Sequence, residues 1–219
     1  MEITEELKKL LTNPFKGLEG NDKFQSKCFE IAKDLFRNYC INCNDKEYYF
    51  AEIEFYYYDS KQYLRNSEQY KWQKVTYPRK CNAGQLFYHL SGVDICFESD
   101  YDNQKAKFGG ILIRAIKDVN GENVTVIAGP LNCKDAILNA CKGSSMPKLQ
   151  EATQKSKLIP EATYRALGKD DVDIKNDRLC FYDSNSVWNP QKEKYNTRKG
   201  IIEPQKGTYK TDRFNENNK

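Results

Sequence analysis

Histidine is almost absent from this chain of 219 residues, where His89 is the only one. A single histidine excludes metal sites built from several imidazoles. Cys40 and Cys43 form one C-x-x-C pair, and no second pair follows at zinc-finger spacing. One pair supplies half of a tetrahedral site, so we expect no metal and no cofactor. The eight cysteines are then interpreted as reduced residues of the core.

Long apolar runs are missing as well. No stretch approaches the roughly 18 apolar residues of a membrane span. The N-terminus, MEITEELKKLL, is acidic and amphipathic, unlike a secretory leader with its basic start and apolar middle. We therefore expect a soluble, cytoplasmic protein that has no membrane partner. Aromatic residues make up 13% of the chain, which argues against disorder.

The hydrophobic pattern predicts one α+β domain over residues 1–214, with a mostly antiparallel sheet flanked by helices. Two N-terminal helices, within residues 1–45, are expected to pack on the sheet, and residues 215–219 are expected to form a tail. The predicted helices span 3–12, a segment from Asn21 or Asp22 to Tyr39, a segment opened by Gly129-Pro130, and 160–167. The predicted strands span 48–58, 86–90, 93–97, 108–116, 124–128, 178–182 and 198–202. We expect the protein to be a monomer.

The stretch from Tyr48 to Asp59, YYFAEIEFYYYD, is the most informative of these strands. Side chains alternate along a strand, so Ala51, Ile53, Phe55 and Tyr57 are expected on a core face. Glu52, Glu54, Tyr56 and Tyr58 are then expected on the other face. Two carboxylates and two phenols on a central strand indicate that this second face lines a cleft.

Arg114 is the single charge in the apolar strand 108–116, and such an arginine needs a carboxylate or phosphate partner. Glu54 and Glu52 are the candidate partners, although a purely structural ion pair fits the pattern equally well. The strands at 86–90 and 93–97 are predicted to form a hairpin with Ser91-Gly92 at its tip. His89 lies on this hairpin, where either a hydrogen-bonded core role or a stacking role is open.

Positive charge is concentrated in two segments of a chain whose net charge is +4. Residues 61–81 hold six basic side chains against one acidic side chain, and residues 192–219 hold eight against four. Basic residues mixed with aromatic rings suit nucleic acid, through phosphate contacts and base stacking, although solvated loops give the same pattern. Arg79 and Lys80 are the first candidates for DNA contacts.

Five motifs in order resemble the alkyladenine (3-methyladenine) DNA glycosylase family, over about residues 48–214. The first two are E-x-E-x-Y at residues 52–56 and Gly84-Gln85-Leu86-Phe87. The others are Leu112-Ile113-Arg114-Ala115, then Gly129-Pro130 with Ala136-Ile137, and finally Arg198-Lys199-Gly200-Ile201 with Arg213-Phe214. The resemblance implies a curved antiparallel sheet and hydrolysis of the N-glycosidic bond of a damaged purine. DNA is the implied partner.

The resemblance also implies roles for individual residues. Glu54 would be the general base and Arg114 a positioning group beside it. Tyr56 and His89 would stack on the flipped base, and Arg198 would contact DNA. No lysine stands where a Schiff-base step would need it, so we expect a monofunctional enzyme without lyase activity.

The sequence departs from this family at the hairpin. Ser91-Gly92 is too small to fill the gap left by a flipped base, so the expected substrate is single-stranded or damaged DNA, with a nucleotide as an open alternative. The alternative is a catalytically silent protein that binds nucleic acid or a nucleobase with the same fold.

Overall fold

The structure is a computed structural model that describes residues 3–18, 21–44, 46–59, 79–100, 107–120, 123–141, 146–156, 159–164, 179–183 and 205–208. Arg198, the predicted strand 198–202, the predicted tail 215–219 and most of the basic segments lie outside these residues.

Three helices occur in the described part of the chain, and each was predicted from the sequence. Helix α1 (Glu5–Leu11) begins after Thr4, whose Oγ1 accepts a hydrogen bond from the Leu7 N–H at 3.2 Å. Helix α2 (Asn21–Asn38) carries an apolar stripe that includes Phe24, Ile31 and Leu35. Helix α3 (Pro130–Ala140) has proline in its first turn, where the missing N–H costs no hydrogen bond.

The described strands form one curled sheet, a half-barrel, in which every pairing is antiparallel. The strands are β1 (Tyr39–Cys43), β2 (Lys46–Asp59), β3 (Leu86–His89), β4 (Gly92–Cys96), β5 (Lys107–Asn120), β6 (Asn123–Ala128), β7 (Lys148–Glu151), β8 (Glu161–Tyr164), β9 (Leu179–Tyr182) and β10 (Gln205–Thr208). The α+β class and the curved, mostly antiparallel sheet are therefore confirmed.

The two long strands, β2 and β5, pair along their whole length and organise the sheet. On its other edge, β2 pairs first with β1 and then, from Glu52 to Phe55, with β9. On its other edge, β5 pairs with β4 over Gly110–Leu112 and with β6 over Ala115–Asn120. Both strands thus change partner near their midpoints, and the sheet divides there.

The main core lies on one face of this sheet, under α1, α2 and α3. Ile53, Phe55, Ile95 and Ile111 from the strands meet residues from all three helices there. Burial of these apolar side chains supplies most of the driving force for folding, at about 25 cal/mol per Å².

Two predictions about elements were wrong, and three short strands were not predicted. Residues 161–164 form strand β8 rather than part of a helix, because pairing with β9 outweighs the helix-start signal of Pro160. The tip of the β3–β4 hairpin is Leu90-Ser91, since His89 pairs with Gly92. Short strands β1, β7 and β10 were not predicted, because four or five residues carry little periodic signal.

All eight cysteines are buried and none is in a disulfide, as the sequence predicted. Burial raises the pKa of Cys40, Cys96 and Cys133, so these thiols stay protonated and unreactive. Among the described residues, no helix has the length and apolar content needed to cross a membrane.

Candidate functional site

The face of the sheet opposite the main core is polar at the point where the sheet divides. The pairing of β2 with β5 is irregular between Phe50 and Ile53. Phe50 and Ile53 both belong to the main core, so Ala51 and Glu52 between them both turn away from it. The extra residue is a β-bulge, which redirects side chains locally.

The bulge corrects one prediction about strand β2. Ala51 was expected on the core face with Ile53, but it packs with Ala115, Val126 and Ala128 in a small separate cluster. Strict alternation fails here, because a bulge adds one residue between two core positions. Glu52 and Glu54 nevertheless lie on the polar face, as predicted, where both meet Arg114.

On β5 the pairing is also irregular, because Glu52 pairs with Ala115 and Ile53 pairs with Ile113. Arg114 lies between these two positions and contacts both glutamates. Its Nη1 donates a hydrogen bond to Glu54 Oε2, and its Nε lies 3.3 Å from Glu52 Oε1. Glu54 is 0% exposed, Glu52 1% and Arg114 8%. Burial alone would lower the pKa of Arg114, but Glu54 and Glu52 outweigh it and raise that pKa above its ordinary value. The guanidinium therefore stays charged and holds the two carboxylates together.

A second polar cluster lies in the same row of the sheet. Glu54 pairs with Leu112, and Leu112 pairs with Asp94 on β4. Residues paired directly across strands share a face, so Glu54 and Asp94 point to the same side. Two strand spacings put their Cα atoms roughly 10 Å apart. Asp94 was not among the predicted site residues, although it alternates with the buried Val93 and Ile95.

Asp94 joins Arg79 to His89. Its Oδ2 accepts a hydrogen bond from Arg79 Nη1 at 2.8 Å, and its Oδ1 lies 3.2 Å from His89 Nε2. His89 Nδ1 accepts the Ser91 N–H at 3.3 Å, which assigns the ring proton of neutral His89 to Nε2. The ring of Phe87 lies under the Arg79 guanidinium, at 4.7 Å, and stacks on His89.

The two clusters meet at Gly110. A side chain there would come within 2.7 Å of Arg79 Nη2, so the guanidinium passes directly over this glycine. Gly110 pairs with Tyr56, which is half-buried on the same face as Glu54. The two clusters therefore lie on one face of the sheet, with Leu112 and Gly110 between them.

A buried ion pair between Lys117 and Asp183 extends this face further. Their side chains are 6% and 2% exposed. Asp183 follows β9, and its N–H donates to the Ala51 carbonyl at 2.9 Å, next to Glu52. This pair was not predicted, because 66 residues separate its members and no local pattern connects them.

The predicted site residues thus fall into three groups. Glu54, Arg114, Tyr56 and His89 share one polar face. Lys80 is exposed, as a phosphate contact requires. Arg79 is buried against Asp94 instead, so a direct phosphate contact by its guanidinium does not fit its position. Arg198 lies outside the described residues.

Comparison with protein-family models, with curated proteins and with solved structures finds no match.

Proposed function

We propose that this protein hydrolyses the N-glycosidic bond of a damaged purine in DNA, with a water molecule activated by Glu54. The observation that carries the proposal is the contact of Glu54 with Arg114 on the polar face that also holds Tyr56 and His89. A catalytic carboxylate must be ionised near neutral pH, and an adjacent guanidinium favours the ionised form. The expected partner is single-stranded or damaged DNA.

The reaction needs a general base and a pocket that holds the purine. Glu54 takes a proton from water, and the water oxygen forms a bond to the sugar carbon C1′. The bond between C1′ and the base nitrogen breaks, and the base leaves with the electron pair and is protonated by solvent. The DNA strand stays intact and carries an abasic site, so the enzyme is monofunctional.

Aromatic side chains are available to stack on the purine. An enzyme that acts on a base must take it out of the stack and hold it between flat groups. Tyr56 is half-buried beside Glu54, and the His89 ring stacks on Phe87. Tyr56 lies two residues from Glu54 on the same face, so a purine stacked on Tyr56 would lie near Glu54.

The β3–β4 hairpin offers a contact for DNA that the sequence did not predict. Leu90 at its tip is 88% exposed, and Lys134 Nζ hydrogen-bonds the Leu90 carbonyl at 3.2 Å. Proteins that unstack DNA commonly insert an apolar wedge such as leucine. This proposal includes duplex DNA as a substrate, since Leu90 can fill the gap that Ser91 and Gly92 cannot.

A cytoplasmic location belongs to the same proposal. Eight free cysteines suit a reducing compartment, in which thiols persist.

A second candidate function is binding of a nucleobase or nucleic acid without catalysis. It is favoured by the complete burial of Glu54 and by its ion pair with Arg114, which both limit the access of water to the carboxylate. The two functions differ in whether a water molecule reaches the Glu54 carboxylate and reacts there.

Base release from alkylated and deaminated oligonucleotides, single- and double-stranded, tests the proposal. We expect Glu54→Gln to lower the release rate by about 10²–10⁴-fold, the usual contribution of a general base. Glu52→Gln is the matched control, since it removes a buried charge from the same arginine, and we expect a smaller loss. Circular dichroism confirms that both variants are folded.

Equal release by the natural protein and Glu54→Gln, or release by neither, would overturn the catalytic proposal. Retained binding of the oligonucleotides under that outcome would favour the silent binding protein. An equal loss in both variants would show that the charge of the cluster matters, and that Glu54 has no special role.

A further inference from the structure

A polar groove of about 910 Å³ opens at the end of the sheet where β1 and β2 turn. Its walls come from the β1–β2 turn, the end of β5 and the segment that follows β7. None of its described lining residues belongs to the Glu54 or Asp94 clusters. The groove is therefore a separate feature of the molecule.

Glu47 is fixed in the wall of this groove. Its carboxylate accepts hydrogen bonds from the Tyr49 hydroxyl, from the N–H and hydroxyl of Thr153, and from Gln150 Nε2. Burial alone would raise the pKa of Glu47, but the hydrogen bonds from Tyr49 and Thr153 outweigh it and lower that pKa. The side chains of this wall are thus held in place before any ligand arrives.

Charge in the groove disfavours anions. Lys46 forms an ion pair with Asp118 at 2.6 Å, which neutralises both. The charged residues of the described lining are Lys46, Asp118 and Glu47. One cation and two carboxylates give this lining a net charge of −1. Phosphate, sulfate and carboxylate ligands would meet repulsion there.

Carboxamides dominate the rest of the lining. The five are Asn42, Asn44, Asn120, Gln150 and Gln154. A carboxamide carries one acceptor oxygen and two donor protons. Gln150 uses one donor on Glu47, and Asn44 uses one on the Ala140 carbonyl. Gln154 Oε1 is buried and has no hydrogen-bond donor among the described residues, which is costly unless a donor arrives.

We propose that this groove binds a neutral carbohydrate. A sugar hydroxyl donates and accepts at once, so it matches both ends of a carboxamide. Val119 and Ala140 add small apolar contacts for the C–H faces of a sugar ring. The volume lies within the range of small-molecule sites and holds more than one sugar unit.

Titration with neutral disaccharides tests this site. Maltose, cellobiose, lactose and chitobiose would be added to the full chain, with binding followed by NMR chemical shifts and calorimetry. We expect saturable binding of at least one sugar at concentrations up to roughly 10 mM, the range of weak ligands. Asn120→Ala and Gln154→Ala should each weaken it by about fivefold, the loss of one hydrogen bond.

Asn139→Ala is the matched control, because Asn139 is exposed on α3 and does not line the groove. Binding that is equal in all three variants would overturn the proposal, and so would the absence of binding by all four sugars. Stronger binding of glucose 6-phosphate than of the neutral sugars would overturn it too. Glu54→Gln should bind sugar normally, so this result does not depend on the glycosylase proposal.

Discussion

At Glu47, the hydrogen-bond donors around the carboxylate determine the direction of its pKa shift, and burial does not. Hydrogen bonds from Tyr49 and Thr153 overcome the effect of burial and lower its pKa from an ordinary value near 4.5. A group whose folded pKa is lowered stabilises the fold above its unfolded pKa, and this contribution disappears as pH falls through the folded pKa. The stability from Glu47 is therefore lost on acidification.

We predict that Glu47→Gln flattens the loss of stability between about pH 5 and pH 3, because it removes a group that takes up a proton on unfolding. Urea unfolding at a series of pH values measures this. Asp34→Asn is the control of opposite sign, since burial raises the pKa of Asp34. Removing Asp34 should make the acid decline steeper. A curve for Glu47→Gln parallel to that of the natural protein would contradict the assignment.

Residue types alone predicted one of the two polar clusters. The contact of Arg114 with Glu54 followed from a lone arginine in an apolar strand and two glutamates spaced by two. The contact of Arg79 with Asp94 was not predicted, because Arg79 was interpreted as part of a basic, solvated segment. The net charge of a segment does not predict which of its charged side chains is buried.

At the scale of elements, β2 and β5 were predicted because each carries a long apolar pattern. The irregularity between Phe50 and Ile53 was not predicted, since a bulge depends on the pairing of two strands that are distant in sequence. The same limit explains residues 161–164, where pairing with β9 decides the conformation. Local sequence thus predicts elements, and pairing across the sheet decides how they are adjusted.

Strand β5 approaches β2 closely at Gly109, and this gives a test of the pairing. A Cβ at Gly109 would overlap the Tyr56 carbonyl oxygen and lie 2.9 Å from Tyr57 Cα. We predict that Gly109→Ala lowers the free energy of unfolding by about 1–3 kcal/mol, because neither backbone atom can move without disturbing the sheet. Chemical denaturation monitored by circular dichroism measures the loss.

Gly110→Ala is the matched comparison on the same strand. There the nearest atom is Arg79 Nη2, the far end of a side chain rather than backbone. The nearest backbone atom, the Ile95 carbonyl oxygen, is 3.0 Å away, which is a milder contact than the overlap at Gly109. We expect this variant to lose less stability than Gly109→Ala. The reverse order would mean that β2 and β5 are not paired as described.

At the scale of the whole molecule, the proposed DNA contact depends on exposed residues beside the buried polar face. The net charge is +4, and Lys80 is exposed just before the hairpin whose tip presents Leu90. Lys80 directly follows Arg79, which binds Asp94, so we propose Lys80 as a phosphate contact beside the polar face. Association would then depend on the release of counterions from phosphates.

We predict that DNA affinity falls linearly in a plot of log K against log salt concentration. Lys80→Ala should make the slope shallower by about 0.9 on duplex DNA, or by about 0.7 on a single strand, because one phosphate contact is lost. Fluorescence anisotropy at several salt concentrations measures the slope on each DNA, and the affinities for single-stranded and duplex DNA show which strand state is preferred. Lys148→Ala is the control, since Lys148 is exposed on edge strand β7 and does not adjoin the hairpin. An affinity independent of salt, or an equal effect of both lysines, would rule out a phosphate contact at Lys80.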